Sequence, residues 1–150
     1  MRAVIQRVSQ ASVTVASRVV GQISAGLVIL LAVEEPDGDA DIEWLAGKIL
    51  KLRVFDDDHG VMNRSVTEAG GGILLISQFT LFASTRKGNR PSYLRSAPPA
   101  VALGIFNRFA RQLESDFGQP IQTGEFGAEM DVSLVNDGPV TLIIDTRLRE

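Results

Sequence analysis

Three polar side chains, Ser77, Gln78 and Thr80, follow directly on an apolar run in Gly-Gly-Ile-Leu-Leu-Ile-Ser-Gln-Phe-Thr-Leu-Phe-Ala, residues 71–83. The apolar half reads as a strand buried on both faces, so the pattern predicts polar groups within a core strand. A buried hydroxyl or amide without a partner costs about 1–3 kcal/mol, so these groups are either paired internally or held for a ligand. Two chemistries are open. Thr80 can act as a nucleophile, but it needs a neighbouring base that the sequence does not offer. Alternatively, backbone amides around Ser77, Gln78, Phe79 and Thr80 can polarise a carbonyl as an oxyanion hole, which suits a labile substrate carrying its own assisting group.

Other catalytic kits are missing. The chain has no cysteine and one histidine, His59, on an acidic turn, and no serine lies in a Gly-x-Ser-x-Gly elbow. That leaves an ordinary zinc site poorly supplied. Asp56-Asp57-Asp58-His59-Gly60 has carboxylates at alternate positions, but the next ligand position falls on Gly60 and no glutamate closes a calcium loop. It reads as a solvated turn. Arg86, Lys87, Arg90 and Arg95 crowd a stretch with the turn residues Gly88, Asn89 and Pro91. A solvated loop and a phosphate-contacting loop are both open readings there.

The elements that must position these groups follow from periodicity. Met1–Val8 and Ala11–Val15 alternate as two strands, and Val19–Ile23 returns as a third in a hairpin around Ser17 and Arg18. Leu27–Val33 is a central strand. A helix is expected over Asp39–Leu52, with Asp39 as its cap and Ile42, Leu45, Ala46 and Ile49 on one face. Val54-Phe55 is a short strand. Val101, Ile105, Phe109, Leu113 and Phe117 mark a second helix that starts at Pro98-Pro99 and stops at Gly118. Residues 121–123, 130–135 and 140–144 read as strands, with Asn136-Asp137-Gly138-Pro139 as a turn between the last two.

At 150 residues the chain is expected to form one domain, 1–150. No apolar run approaches the roughly 20 residues that span a bilayer, and no secretory signal precedes the first strand. The absence of cysteine fits the cytoplasm. A net charge of −3 argues against binding long nucleic acid by counterion release alone, but leaves room for contact with one RNA end through a local basic patch.

Five blocks in order carry a family resemblance: residues 1–8, 77–81, 85–92, 123–130 and 136–141. Together they resemble D-aminoacyl-tRNA deacylases over the whole chain, with departures at Val61, Phe82, Ser84 and Tyr93. The resemblance implies a homodimer that hydrolyses the ester of D-aminoacyl-tRNA, and of glycine mischarged on tRNA-Ala, at sites on the subunit interface. It implies that Ser77, Gln78, Phe79 and Thr80 line the catalytic pocket. It further implies that Gly138 and a cis Pro139 reach into the partner's pocket and reject L-amino acids, with Met130, Asn136 and Arg7 completing the substrate and selection site. If the basic loop is the phosphate-contacting one, the tRNA contact would fall on Arg86, Lys87 and Arg90; a solvated loop stays open. Neither cofactor nor metal is implied, and catalysis assisted by the tRNA 2′-hydroxyl is the leading mechanism. The fold class is a single α/β domain, a strongly curved, barrel-like mixed sheet with two packed helices. Two other functions stay open: editing of small L-aminoacyl-tRNA, and non-catalytic binding of a nucleic-acid end by a dimer.

Overall fold

The computed structural model describes residues 1–149. Its axis is β1 (Arg2–Val15), a long strand that serves three neighbours. Along one edge its first half pairs antiparallel with β3 (Gly26–Ala32) and its second half with β2 (Arg18–Ile23). The other edge is taken by β8 (Asp131–Asp145), from Arg2 opposite Asp145 to Thr14 opposite Asp131. Beyond β3 lie β6 (Gly72–Ser77) and β7 (Gln122–Thr123), each parallel to its predecessor. The sheet is therefore mixed. β2 curls back across β6 and β7, where a Cβ on Gly21 would sit 2.7 Å from the Thr123 carbonyl oxygen. Only glycine allows that approach, and it leaves the sheet nearly closed into a barrel.

Two strand boundaries differ from the sequence reading. Residues 2–15 form one strand because register slips around Val8 let the buried set change from Ala3 and Ile5 to Val8, Ala11 and Val13 without a break. Residues 131–145 are likewise one strand. Asn136 pairs with Val8 and Thr141 with Gln6, so residues 137–140 oppose Arg7 alone and loop out of a ladder that resumes beyond them. The hairpin turn sits one residue earlier than expected, on Ala16 and Ser17, which hold φ of 48° and 64°.

The helices cover one face of the sheet. α1 (Asp39–Leu50) buries Ile42, Leu45, Ala46 and Ile49 as the spacing predicts. Its cap is Gly38 rather than Asp39, because the Asp41 carboxylate accepts the Gly38 amide at 3.0 Å while Asp39 pairs with Arg108. α2 (Pro99–Phe117) ends at Gly118, whose φ of 76° no other residue adopts as readily. Its buried stripe is Ile105, Phe106, Phe109, Leu113 and Phe117, whereas Val101 is 41% exposed in the first turn. The main core lies between helices and sheet, and a smaller one, with Val13, Val28, Leu74 and Ile76, fills the inside of the curl. β4 (Phe55–Asp56) pairs with β5 (Met62–Arg64), a strand too short for any alternation to announce it. Among the described residues no helix is long and apolar enough to cross a membrane.

Truncating the fully buried Phe109 to alanine is expected to cost about 3–5 kcal/mol in chemical denaturation, while Val101→Ala stays within about 0.5 kcal/mol. Equal losses would contradict the observed facing of α2.

Candidate functional site

The apolar run ends sooner than its pattern suggests. β6 stops at Ser77, and Phe79–Phe82 wind into a single 3₁₀ turn, so the polar residues leave the core rather than lie within it. The Gln78 amide N–H bonds the Leu31 carbonyl at 2.7 Å, which ties the turn to the end of β3. The Gln78 side-chain amide donates to Thr80 Oγ1, so two of the three polar groups satisfy each other. No buried side-chain nitrogen or oxygen lacks a partner among the described residues. The main chain is less fully used. In a turn closed by the Leu81 amide on the Gln78 carbonyl, the Phe79 and Thr80 amides have no acceptor within it.

Beside the turn opens a cavity of about 450 Å³. Ser77, Gln78 and Phe79 line it together with an apolar set that includes Pro98, Phe106 and Phe126, whereas Thr80, expected in the pocket, turns away into its bond with Gln78 and does not line it. The Ser96 hydroxyl donates to the Phe79 carbonyl at 2.9 Å, and Tyr93 meets Phe79 edge to face with centroids 5.1 Å apart. Among the described residues no carboxylate, imidazole, amine or guanidinium lines the cavity. Glu34, just beyond β3, is held by Arg95 and Arg147. His59 is exposed on its turn, where the Asp57 carboxylate accepts the His59 amide at 2.9 Å and the Val61 amide at 3.2 Å. The His59 amide, then that of Val61, hold the Asp57 carboxyl below the usual carboxylate range. Among the described residues no cluster of three or more His, Cys, Asp or Glu is arranged for a metal.

The second predicted group assembles elsewhere. Arg7 is buried, bonding the Val54 carbonyl at 2.7 Å and the Asp137 carbonyl at 3.3 Å, with Asp137 Oδ2 at 3.1 Å and Asp56 Oδ1 at 3.4 Å. Asn136 donates to the Arg7 and Val140 carbonyls, both at 3.0 Å, and accepts from Thr141 at 3.2 Å. These contacts present Gly138 and Pro139 outward, joined by a cis peptide bond, with φ of 118° at Gly138. A Cβ on Gly138 would lie 2.9 Å from Arg7 Nη2 and 3.1 Å from the Val140 nitrogen. Met130 belongs to neither group. Its sulfur packs against Gly124 at the edge of the inner core.

Within one chain the two groups are apart. The cavity lies at the level of Leu31, opposite Ala3, and the Gly138 loop at the level of Arg7, about 13 Å further along β1. Arg86, Lys87 and Arg90 are exposed on a hairpin whose base, Ser84 paired with Ser92, adjoins Tyr93. Ser96 and Phe106 escaped the sequence reading as cavity residues. Phe106 carries the same signal as any core position on an amphipathic helix, and Ser96 carries none.

The D-Tyr-tRNA(Tyr) deacylase family model matches residues 4–145. The chain belongs to this family. D-aminoacyl-tRNA deacylases of Opitutus terrae and Parabacteroides distasonis are 57% and 53% identical to it, each over the full length of both chains. Among solved structures it is similar to a c-Myc DNA unwinding element binding protein, with TM-score 0.92 and 40% identity over 97% of this chain and 98% of that one. A probable eukaryotic D-amino acid tRNA deacylase shares the fold, with TM-score 0.82 and 17% identity over 95% and 97% of the two chains.

Asn136→Ala removes the side chain that holds both ends of the Gly138 loop. It is expected to cost about 1–3 kcal/mol in denaturant unfolding. A loss below about 0.3 kcal/mol would mean that the loop is fixed by other means.

Proposed function

We propose that the protein hydrolyses the ester between a D-amino acid and the terminal adenosine of tRNA and leaves the L-ester intact. The observation that carries this reading is the cavity, lined by Phe79 and by no side-chain base, beside a turn whose first two amides have no acceptor within it, in a chain of this family. An aminoacyl ester is already activated, so it needs orientation and charge stabilisation more than a strong base. The Phe79 and Thr80 amides donate hydrogen bonds to the carbonyl oxygen as negative charge develops on it during the addition of water. The ribose 2′-hydroxyl beside the ester assists that attack, and the C–O bond to the 3′-oxygen breaks as that oxygen takes up a proton. Thr80 Oγ1 already accepts from Gln78 and has no base beside it, which favours RNA-assisted hydrolysis over a covalent acyl-threonine. The apolar wall of Pro98, Phe106 and Phe126 suits the flat face of the terminal base.

Selection between mirror images falls to Gly138 and Pro139 supplied by a second copy of the chain. Their distance from the cavity of their own chain favours this arrangement, as does the free outer edge of β8 with Val132, Val135 and Ile143 exposed along it. Main chain set against the α-carbon excludes an L side chain without recognising any particular D one. Glycine has no side chain to exclude, so glycyl-tRNA, including glycine mischarged on tRNA-Ala, passes the same filter. Such a substrate places the work with translation in the cytoplasm.

Incubation with tRNA charged with D- or L-tyrosine tests the reading. The D-ester is expected to disappear at least about 100-fold faster than the L-ester, and Thr80→Val to retain most of that rate. Equal loss of both esters would overturn the selection argument, and an acyl group trapped on Thr80 the mechanism.

A further inference from the structure

The chain separates its charges. From Ala69 to Leu113 there is no Asp or Glu, although the protein holds 18 of them, and the same stretch carries six Arg and Lys residues. Arg95 and Arg108 of that group are neutralised by Glu34 and Asp39. Arg86, Lys87 and Arg90 are exposed and form no ion pair among the described residues. All three stand on one hairpin, closed by reciprocal bonds between the amides and carbonyls of Ser84 and Ser92 at 2.8 and 2.9 Å and turned at Gly88. A concentrated positive field on an acidic protein needs an anionic partner to make it useful.

Apolar surface begins where that hairpin ends. Tyr93 follows Ser92 and stacks edge-on against Phe79; Tyr93 is 37% exposed, Phe79 57% and Leu94 96%. All three line the mouth of the cavity. Exposed aromatics beside unpaired cations match the two faces of an unpaired polynucleotide: bases that stack and phosphates that need neutralising. A duplex hides its base faces, so the combination selects single-stranded nucleic acid.

We infer that the Ser84–Ser92 hairpin and the lip formed by Phe79, Tyr93 and Leu94 are a track for the unpaired nucleotides preceding the terminal adenosine. The inference rests on the reading of the cavity as the site of that adenosine. Bases lie across the lip, and their phosphates run toward Arg86, Lys87 and Arg90. The ester is thereby delivered to the Phe79 turn by contacts that do not depend on the amino acid.

The test is binding of uncharged RNA followed by fluorescence anisotropy. An RNA hairpin with a four-nucleotide single-stranded 3′ end is expected to bind more tightly than the same hairpin cut blunt. Reversing the three charges together, as Arg86→Glu, Lys87→Glu and Arg90→Glu, lowers the slope of log affinity against log salt by about two, or about 0.7 for each phosphate released. Tyr93→Ala weakens binding roughly 5- to 150-fold, the range of one lost base–aromatic stack, and Tyr93→Phe restores it. Equal affinity for the blunt hairpin, or a slope untouched by charge reversal, would overturn the track. The second arm compares D-tyrosyl-tRNA with D-tyrosyl-adenosine, which lacks the preceding nucleotides. Charge reversal is expected to reduce kcat/KM at least tenfold more for the tRNA ester than for the adenosine ester, and equal losses would again overturn the proposal. A wild-type protein that binds the overhang with the stated salt slope but hydrolyses neither ester would leave the track standing and remove the deacylase reading.

Discussion

Four residues of β8 face one residue of β1, and that residue is Arg7. Its buried guanidinium bonds main-chain carbonyls of two other segments, at Val54 and Asp137, and takes partial charge balance from Asp56 and Asp137. A planar fork of donors suits that task in a way that a lysine ammonium does not. The ladder resumes at Thr141, so the loop has no slack to reach elsewhere. Gly138 and Pro139 are therefore a fixed outward projection, about 13 Å along the strand from the cavity of the same chain. On the proposed reading they meet a substrate as rigid main chain, in the cavity of a second copy.

In the proposed mechanism main chain carries the chemistry, and the side chains around the Phe79 turn serve as braces. Gln78 is anchored to Leu31, its side chain satisfies Thr80, and Ser96 fixes the Phe79 carbonyl. What is left over is a pair of amides at the start of a short turn. Donors fixed in advance need no reorganisation as charge develops, and this makes them effective without a base. They also work equally on any ester that reaches them. Discrimination must then come from exclusion, which is the role that the Gly138 loop fits.

Much of this architecture was legible in the residues. Alternation and helical spacing gave most of the strands and the buried faces of both helices, and five ordered motifs pointed to the family. The failures have physical causes. Alternation could not show that β1 stays continuous through its register slips, nor that β8 continues past Asn136-Asp137-Gly138-Pro139, because a loop-out within a ladder carries the same residues as a hairpin turn. The run ending in Ser77-Gln78-Phe79-Thr80 looked like uninterrupted strand because a single 3₁₀ turn demands no special residue. Ser96 and Phe106 join the cavity through tertiary packing alone, and the separation of the two predicted groups is a fact of register that spacing along the chain does not encode.

The central claim is that two halves of a site, held apart in each chain, meet across two copies. Mixing two variants tests it directly: Gly138→Val, whose side chain has no room beside Arg7 and pushes the loop into the partner's cavity so that D-esters are shut out as well, and Phe79→Pro, which removes an amide donor of the turn, each inactive alone and co-refolded in equal amounts. Random pairing gives half mixed dimers, each with one intact site of two, so about a quarter of wild-type activity on D-tyrosyl-tRNA should return. If both variants form dimers, exchange subunits and still show no activity, the site is not shared and the account is wrong.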